Sequence, residues 1–185
     1  LNPVIQWSIG SRAPSAADLL QGLGEWLAFA DDEGGRYSDA NLKPATRAGE
    51  IDSEALRGLR ELMQARIDGS ESFNAYLATF MSRFRLAHEP LPPPELIRSE
   101  NLLAAMHNGA ELLRNSWTRL TWVENTTGAR LFAAGQPYDC SLWLAECLCA
   151  GDQPRLETDM LDQATLDTLT GLINNGHFLL TSASH

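Results

Sequence analysis

The sequence predicts a mostly helical α+β protein, and three observations lead to that prediction. The segment from Asp52 to Leu86 carries apolar residues at helical spacing in two successive stretches. After Gly109 the apolar spacing shifts from the helical period toward alternation, which is typical of strands. Between these regions, segment 88–94 is rich in proline and cannot continue a helix, so we expect an extended linker there.

The chain is expected to open with a strand followed by a helix. Val4 to Ile9 alternates between two faces, as a half-buried strand does. Ser15, with Asp18 three residues later, resembles a capping box at a helix start. The apolar face of that helix consists of Leu19, Leu20, Leu23, Trp26, Leu27 and Ala30.

The second helix of segment 52–86 has an aromatic face, which we call the aromatic stripe. Its six large side chains recur at i, i+3, i+4, i+7, i+8 and i+11 and are Phe73, Tyr76, Leu77, Phe80, Met81 and Phe84. Burying one such side chain contributes about 1.5–3 kcal/mol, so the stripe must press on a partner surface. The preceding helix, separated by Asp68-Gly69, offers Leu56, Leu59, Leu62, Met63 and Ile67. The residues alone leave both an intramolecular core and a subunit interface open.

Beyond the linker, alternating helices and strands predict a small winged-helix-like module. A hairpin turn is expected at Asn125–Gly128, and Asp162 can cap the last helix. The predicted elements, in order, are a helix from Ser99 to Met106, strands Glu111–Arg114, Thr118–Val123 and Ala129–Ala133, helix Leu142–Ala150, a helix through Leu166 and Ile173, and strand His177–Thr181. We therefore place a boundary in the linker, between a helical part and a module that begins near residue 93.

The net charge of −10 argues against nucleic acid as a partner. Residues 1–94 hold 9 basic and 13 acidic side chains, and residues 95–185 hold 5 and 11, so both halves are acidic. No apolar run reaches the roughly 18 residues of a membrane span. Three cysteines, an odd number, fit neither a disulfide framework nor a zinc ribbon, which favours the cytoplasm.

The sequence lacks a self-sufficient set of catalytic residues. None of the four histidines has a carboxylate at metal-ligand spacing, and no phosphate loop or nucleophile elbow is present. Cys140 and Cys147 would share a helix face if their helix began early, and buried structural thiols are the favoured interpretation of Cys140, Cys147 and Cys149 because no basic residue adjoins them.

Four stretches of the sequence carry a family resemblance, and they are Gln6–Pro14, Gly34–Asp39, Glu89–Pro94 and Leu172–Phe178. In order and spacing they resemble the bacterial ribosomal oxygenases, whose catalytic domain is a JmjC barrel. The opening from Gln6 to Pro14 resembles the end of that barrel, where the family has a strand of asparagine, tyrosine, serine and valine before glycine. Gly34–Asp39 resembles a loop after the next helix, Glu89–Pro94 the proline-rich linker, and Leu172–Phe178 the last helix and strand.

This resemblance implies an Fe(II)- and 2-oxoglutarate-dependent hydroxylase of a ribosomal-protein side chain, commonly arginine. It implies the terminal strand of the barrel in residues 1–12, a helical dimerisation region in residues 13–92, and a winged-helix domain in residues 93–185. The family's iron ligands would lie upstream of Leu1, so this chain alone is expected to bind neither iron nor cosubstrate. Only Gln6 and Ser8 fall on the barrel strand as candidate cosubstrate contacts. Under this interpretation the aromatic stripe becomes a homodimer interface.

Two alternatives remain open at this point. A winged-helix regulator with a helical dimerisation arm would read nucleic acid through the segment Asp162–Asn174, although that segment contains no Lys or Arg. A free-standing adaptor is the other alternative. The chain begins with Leu1 inside a predicted strand, which indicates a fragment and disfavours the adaptor.

Overall fold

The computed structural model describes residues 13–29, 36–38, 47–67, 71–86 and 88–181. The strand predicted at Val4–Ile9 and the loop Gly34–Gly35 lie outside these residues, as does Ser70, a possible cap. The chain forms two compact units, one ending at Asp32 and the other beginning at Glu33.

The first unit contains helix α1, Ala16–Phe29, where the sequence predicts a helix. Its start is a capping box. The Ser15 amide and hydroxyl donate to the Asp18 carboxylate at 2.8 and 2.7 Å, and the Asp18 amide donates back to the Ser15 hydroxyl at 3.1 Å. The predicted start of this helix is confirmed.

The second unit begins with the two predicted amphipathic helices, α2 (Ser53–Ile67) and α3 (Glu71–Arg83). Asp52 caps α2, because its Oδ1 accepts hydrogen bonds from the amides of Glu54 and Ala55 at 3.0 and 2.8 Å. No residue of α2 is buried, whereas α3 packs against two strands of the following module.

The rest of the second unit has the predicted order of helices and strands, with one additional strand. Asp162 caps the last helix as predicted, accepting from the Thr165 amide at 2.8 Å. The elements are α4 Ser99–His107, β1 Glu111–Arg114, β2 Leu120–Asn125, β3 Gly128–Ala133, β4 Gln136–Cys140, α5 Leu142–Cys149, α6 Gln163–Asn174 and β5 Phe178–Thr181. A mostly helical α+β fold with small antiparallel sheets is therefore confirmed.

The sequence does not reveal β4, because Pro137 lies inside it and most of its side chains are exposed. This strand is the edge of a three-stranded antiparallel sheet in the order β2-β3-β4, where proline is tolerated. The remaining strands, β1 and β5, pair with each other, with Arg114 opposite Phe178.

The three-stranded sheet is covered on both faces. Leu131 and Ala133 point into the main core, and Phe132, between them, is also buried on the face toward α3. The core joins α4, α5, α6 and both sheets, and its members are Leu102, Leu112, Leu131, Ala133, Leu144, Leu148, Leu161, Leu166, Leu169, Leu172, Ile173 and Phe178. Helix α3 therefore covers one face of the three-stranded sheet.

Helix α6 reaches β5 through a tight turn at Gly176. Its φ of +78° is left-handed, and a Cβ there would lie 2.1 Å from the Leu91 carbonyl oxygen. The extended linker thus rests on this turn, in agreement with its predicted lack of helix. Among the described helices, none has the length and apolarity to cross a membrane.

Candidate subunit interface

One side of α3 is fixed to the sheet by side-chain hydrogen bonds. Thr121 Oγ1 donates to the Ala78 carbonyl at 2.9 Å. The fully buried Ser82 hydroxyl donates to the Thr79 carbonyl and accepts from the Gly135 amide, both at 2.9 Å. Because small residues bring helix and sheet close on this side, the aromatic stripe projects from another side of α3.

The aromatic stripe forms a continuous row of rings along α3. The centroids are 6.0 Å apart for Phe73 and Tyr76, 5.9 Å for Tyr76 and Phe80, and 5.3 Å for Phe80 and Phe84. Tyr76 is 3% exposed, Met81 is 38% exposed, and the other members are half-buried. The chain therefore buries Tyr76 as core but leaves part of the stripe accessible.

Helix α2 adds a larger exposed apolar surface. Met63 and Leu56 are 63% and 47% exposed, and Leu59 and Ile67 are also exposed. The Arg57 guanidinium lies 3.8 Å from a carboxylate oxygen of Glu54 and 3.5 Å from one of Glu61. The same helix therefore also has a polar side. We call the four exposed residues Leu56, Leu59, Met63 and Ile67 the α2 apolar face. A contiguous surface of this kind marks interaction sites.

The sequence predicts the apolar stripe of α2 and predicts that it packs against α3. It does not predict that these side chains are exposed to solvent. The sequence signal for this exposure is that α2 combines a low mean hydropathy with apolar residues at every third or fourth position. The candidate cosubstrate contacts Gln6 and Ser8 lie outside the described residues.

The three thiols are not poised for nucleophilic chemistry. Burial raises the pKa of Cys140 to about 11, and burial also raises the pKa values of Cys147 and Cys149. Cys140 belongs to β4, so the shared helix face with Cys147 does not occur. Arg114 lies near Cys149 and partly opposes the rise, a basic neighbour that the sequence did not reveal.

Helix α6, the candidate nucleic-acid recognition helix, is mainly a core element. Its buried residues are Thr165, Leu166, Leu169, Leu172 and Ile173. Asp167, on its exposed side, accepts hydrogen bonds from Ser99 and Gln163 at 2.8 and 2.7 Å. The helix presents no cation to a phosphate.

Comparisons with known proteins agree with this fold. A curated relative, the ribosomal protein uL16 3-hydroxylase of Escherichia coli (strain K12), is 22% identical over 178 residues. The match covers 96% of this chain and 48% of that protein, so the chain spans about half the length of its relative.

Solved structures of YcfD, a ribosomal oxygenase from Escherichia coli, match as well. One in complex with cobalt and succinic acid has a TM-score of 0.80, with 91% of this chain and 47% of that chain covered. Another, with cobalt and 2-oxoglutarate, has a TM-score of 0.78 over 91% of this chain and 47% of that chain; both are 22% identical. The family model described as ROXA-like winged helix matches residues 59–178, which include α3 and all later helices. The chain belongs to the ROXA-like winged-helix family.

Proposed function

We propose that this chain is the carboxyl-terminal, non-catalytic portion of an Fe(II)- and 2-oxoglutarate-dependent hydroxylase of a ribosomal protein, acting on an arginine. The observation that carries the proposal is the match of 96% of the chain to 48% of a ribosomal protein uL16 3-hydroxylase. Cobalt, succinic acid and 2-oxoglutarate, which accompany YcfD in its structures, suit an iron and 2-oxoglutarate enzyme.

The described residues do not fit the metal. In that part of the chain no group of three or more His, Cys, Asp or Glu side chains could hold an ion. A non-haem iron site needs two histidines and a carboxylate that converge. We therefore assign oxygen chemistry and cosubstrate binding to the rest of the parent protein, and to this chain the roles of dimer assembly and substrate-protein binding.

The surface that we assign to dimerisation combines the aromatic stripe with the α2 apolar face. Both surfaces lie in the second unit, and each of them includes apolar side chains that are exposed in the single chain. A second copy related by a two-fold axis would cover both with one self-complementary patch. Tyr76, buried in the single chain, supports this surface through its ring contacts with Phe73 and Phe80. The proposed contact residues are Phe73, Leu77, Phe80, Met81 and Phe84, joined by Leu56, Leu59, Met63 and Ile67.

Two measurements on the purified chain test this function. Ribosomal protein uL16 should bind to it, whereas Fe(II) and 2-oxoglutarate should give no turnover. Tight stoichiometric iron binding with turnover would contradict the non-catalytic assignment, and absence of any uL16 binding would contradict the substrate role. Because the substrate we propose is a ribosomal protein, the compartment we propose for this protein is the cytoplasm.

A further inference from the structure

A cleft of about 360 Å³ lies beside the carboxyl end of α3, and three arginines line it. They are Arg85, Arg114 and Arg119, and the rest of the wall includes Ser116, Trp117 and Thr118. We call it the arginine cleft. Three of the chain's 14 basic residues therefore meet at one cavity of a protein with net charge −10.

The arginines of the cleft are not fully neutralised by the chain itself. Arg114 contacts the exposed carboxylate of Asp152. Within the described ranges, neither Arg85 nor Arg119 has a carboxylate within 4.0 Å. Guanidinium groups brought together without matching carboxylates form a site for an external oxyanion.

The Arg85 backbone supports a role for its side chain. Its φ of +55° is left-handed, the conformation that glycine usually adopts just beyond a helix end. An arginine pays a steric cost there that glycine would avoid. Its guanidinium carbon lies 5.1 Å from the Phe84 ring centroid, which orients the group without using its hydrogen-bond donors.

The wall of the cleft formed by residues 114–119 is held in place before any ligand arrives. The Asn115 amide donates to the His177 carbonyl at 2.9 Å, and its side chain donates to the Gly176 carbonyl at 2.9 Å. Thr118 is buried with Oγ1 3.2 Å from Nδ1 of His177. Arg119 Nη1 donates to the carbonyls of Met81 and Phe84 at 3.3 and 2.8 Å, which ties this wall to the end of α3. A fixed wall lowers the entropy cost of binding.

The composition of the cleft favours a peptide over a polyanion. Trp117 is 45% exposed, with its ring 4.5 Å from that of His88, and it offers an apolar surface next to the charges. A cavity of about 360 Å³ holds one or two side chains. A nucleic acid would extend beyond the cleft along a chain whose net charge of −10 repels phosphates, whereas a peptide can limit its negative charge to the cleft.

We propose that the arginine cleft binds an acidic segment of a partner protein, with a carboxylate between Arg85, Arg114 and Arg119 and a neighbouring apolar residue against Trp117. This surface adjoins the end of the aromatic stripe, but the proposal does not depend on hydroxylase function.

Fluorescence anisotropy of a labelled Gly-Ser-Glu-Leu-Glu-Gly peptide with the full chain tests the proposal. The version of the peptide with both glutamates replaced by glutamine should bind at least about fivefold more weakly, since it lacks the carboxylate that the guanidinium groups would contact. Arg85→Gln should weaken binding of the acidic peptide by about the same factor. Arg98→Gln, an exposed arginine outside the cleft lining, removes the same charge and should change binding less than about twofold.

Competitors distinguish the other possible occupants. Inorganic phosphate or a single-stranded RNA decamer that binds more tightly than the acidic peptide would overturn the peptide assignment. If Arg85→Gln and Arg98→Gln weaken peptide binding equally, the binding depends only on the net charge of the chain, and the assignment to the arginine cleft is overturned. No saturable binding of the acidic peptide by the folded wild-type chain would do the same. Arg85 makes no polar contact to another described residue, so its variant is expected to fold, and circular dichroism checks this.

Discussion

Replacing Gly176 with alanine should destabilise the second unit by about 3–4 kcal/mol, and the structure gives the parts of this figure. A left-handed φ of +78° costs a non-glycine residue about 1–2 kcal/mol. The added Cβ would lie 2.1 Å from the oxygen and 2.6 Å from the carbon of the Leu91 carbonyl, both backbone atoms. Relief of this clash must shift the turn or the linker and strain two hydrogen bonds of 2.9 Å, Asn115 to Gly176 and His177 to Leu172, at about 1 kcal/mol each.

Alanine substitutions at two other glycines measure the cost of a left-handed φ without a clash against backbone atoms. Gly49 has a φ of +77° with no atom within 4 Å of the added Cβ. Gly135 has a φ of +90°, and the three atoms nearest its added Cβ all belong to the exposed side chain of Arg83, which can rotate. Alanine at either position should cost about 1–2 kcal/mol. Urea unfolding followed by circular dichroism gives the three values, provided the m-values agree. A cost for Gly176→Ala equal to that for Gly135→Ala would refute the packing of the linker on this turn.

The burial of His177, the hydrogen bond of Ser82 and the acidic net charge each give a further prediction. Burial lowers the pKa of His177 from 6.5 to about 4, so on acidification this histidine takes up a proton at a higher pH in the unfolded chain than in the folded chain. The free energy of unfolding should therefore keep its full value above about pH 6.5 and fall by roughly 2–3 kcal/mol by pH 4.5. His177→Gln should remove this loss and exposed His107→Gln should keep it; parallel pH profiles for wild type and His177→Gln would be the contrary result. Ser82→Ala leaves the Gly135 amide without its hydrogen-bond acceptor and should lower the free energy of unfolding by about 1–2 kcal/mol. Ser72→Ala, at an exposed position, should lower it by less than about 0.5 kcal/mol. Equal values would mean that the hydrogen bond from Gly135 to Ser82 does not stabilise the fold. Duplex DNA should give no anisotropy change near physiological salt, and a salt-sensitive micromolar affinity would instead favour the regulator.

Periodicity and caps predicted most of the fold because those signals are local. Asp162 and Ser15 accept hydrogen bonds at helix starts as expected, and the Asn125 carboxamide accepts from the Thr127 amide at 2.9 Å in the predicted hairpin turn. The edge strand β4 was missed because its pairing with β3 does not require an apolar face.

The sites depend on long-range contacts, and here the sequence was less informative. Spacing placed six residues on one stripe but could not show that Tyr76 would be core while Met81 stayed exposed. Arg85, Arg114 and Arg119 are scattered along the chain, and only the fold brings them to one cavity. The domain boundary near residue 93 stays a prediction, although α3 contacts the sheet beyond it.

The molar mass of the chain in solution tests the proposed subunit interface most directly. At tens of micromolar, light scattering should give the mass of two chains of 20.3 kDa each. Met63→Asp and Met81→Asp alter side chains that are exposed in the single chain, so both should give folded monomers by circular dichroism and mass. Gln64→Asp adds the same charge next to Met63 and should remain dimeric. A wild-type chain with the mass of one copy at this concentration would contradict the interface.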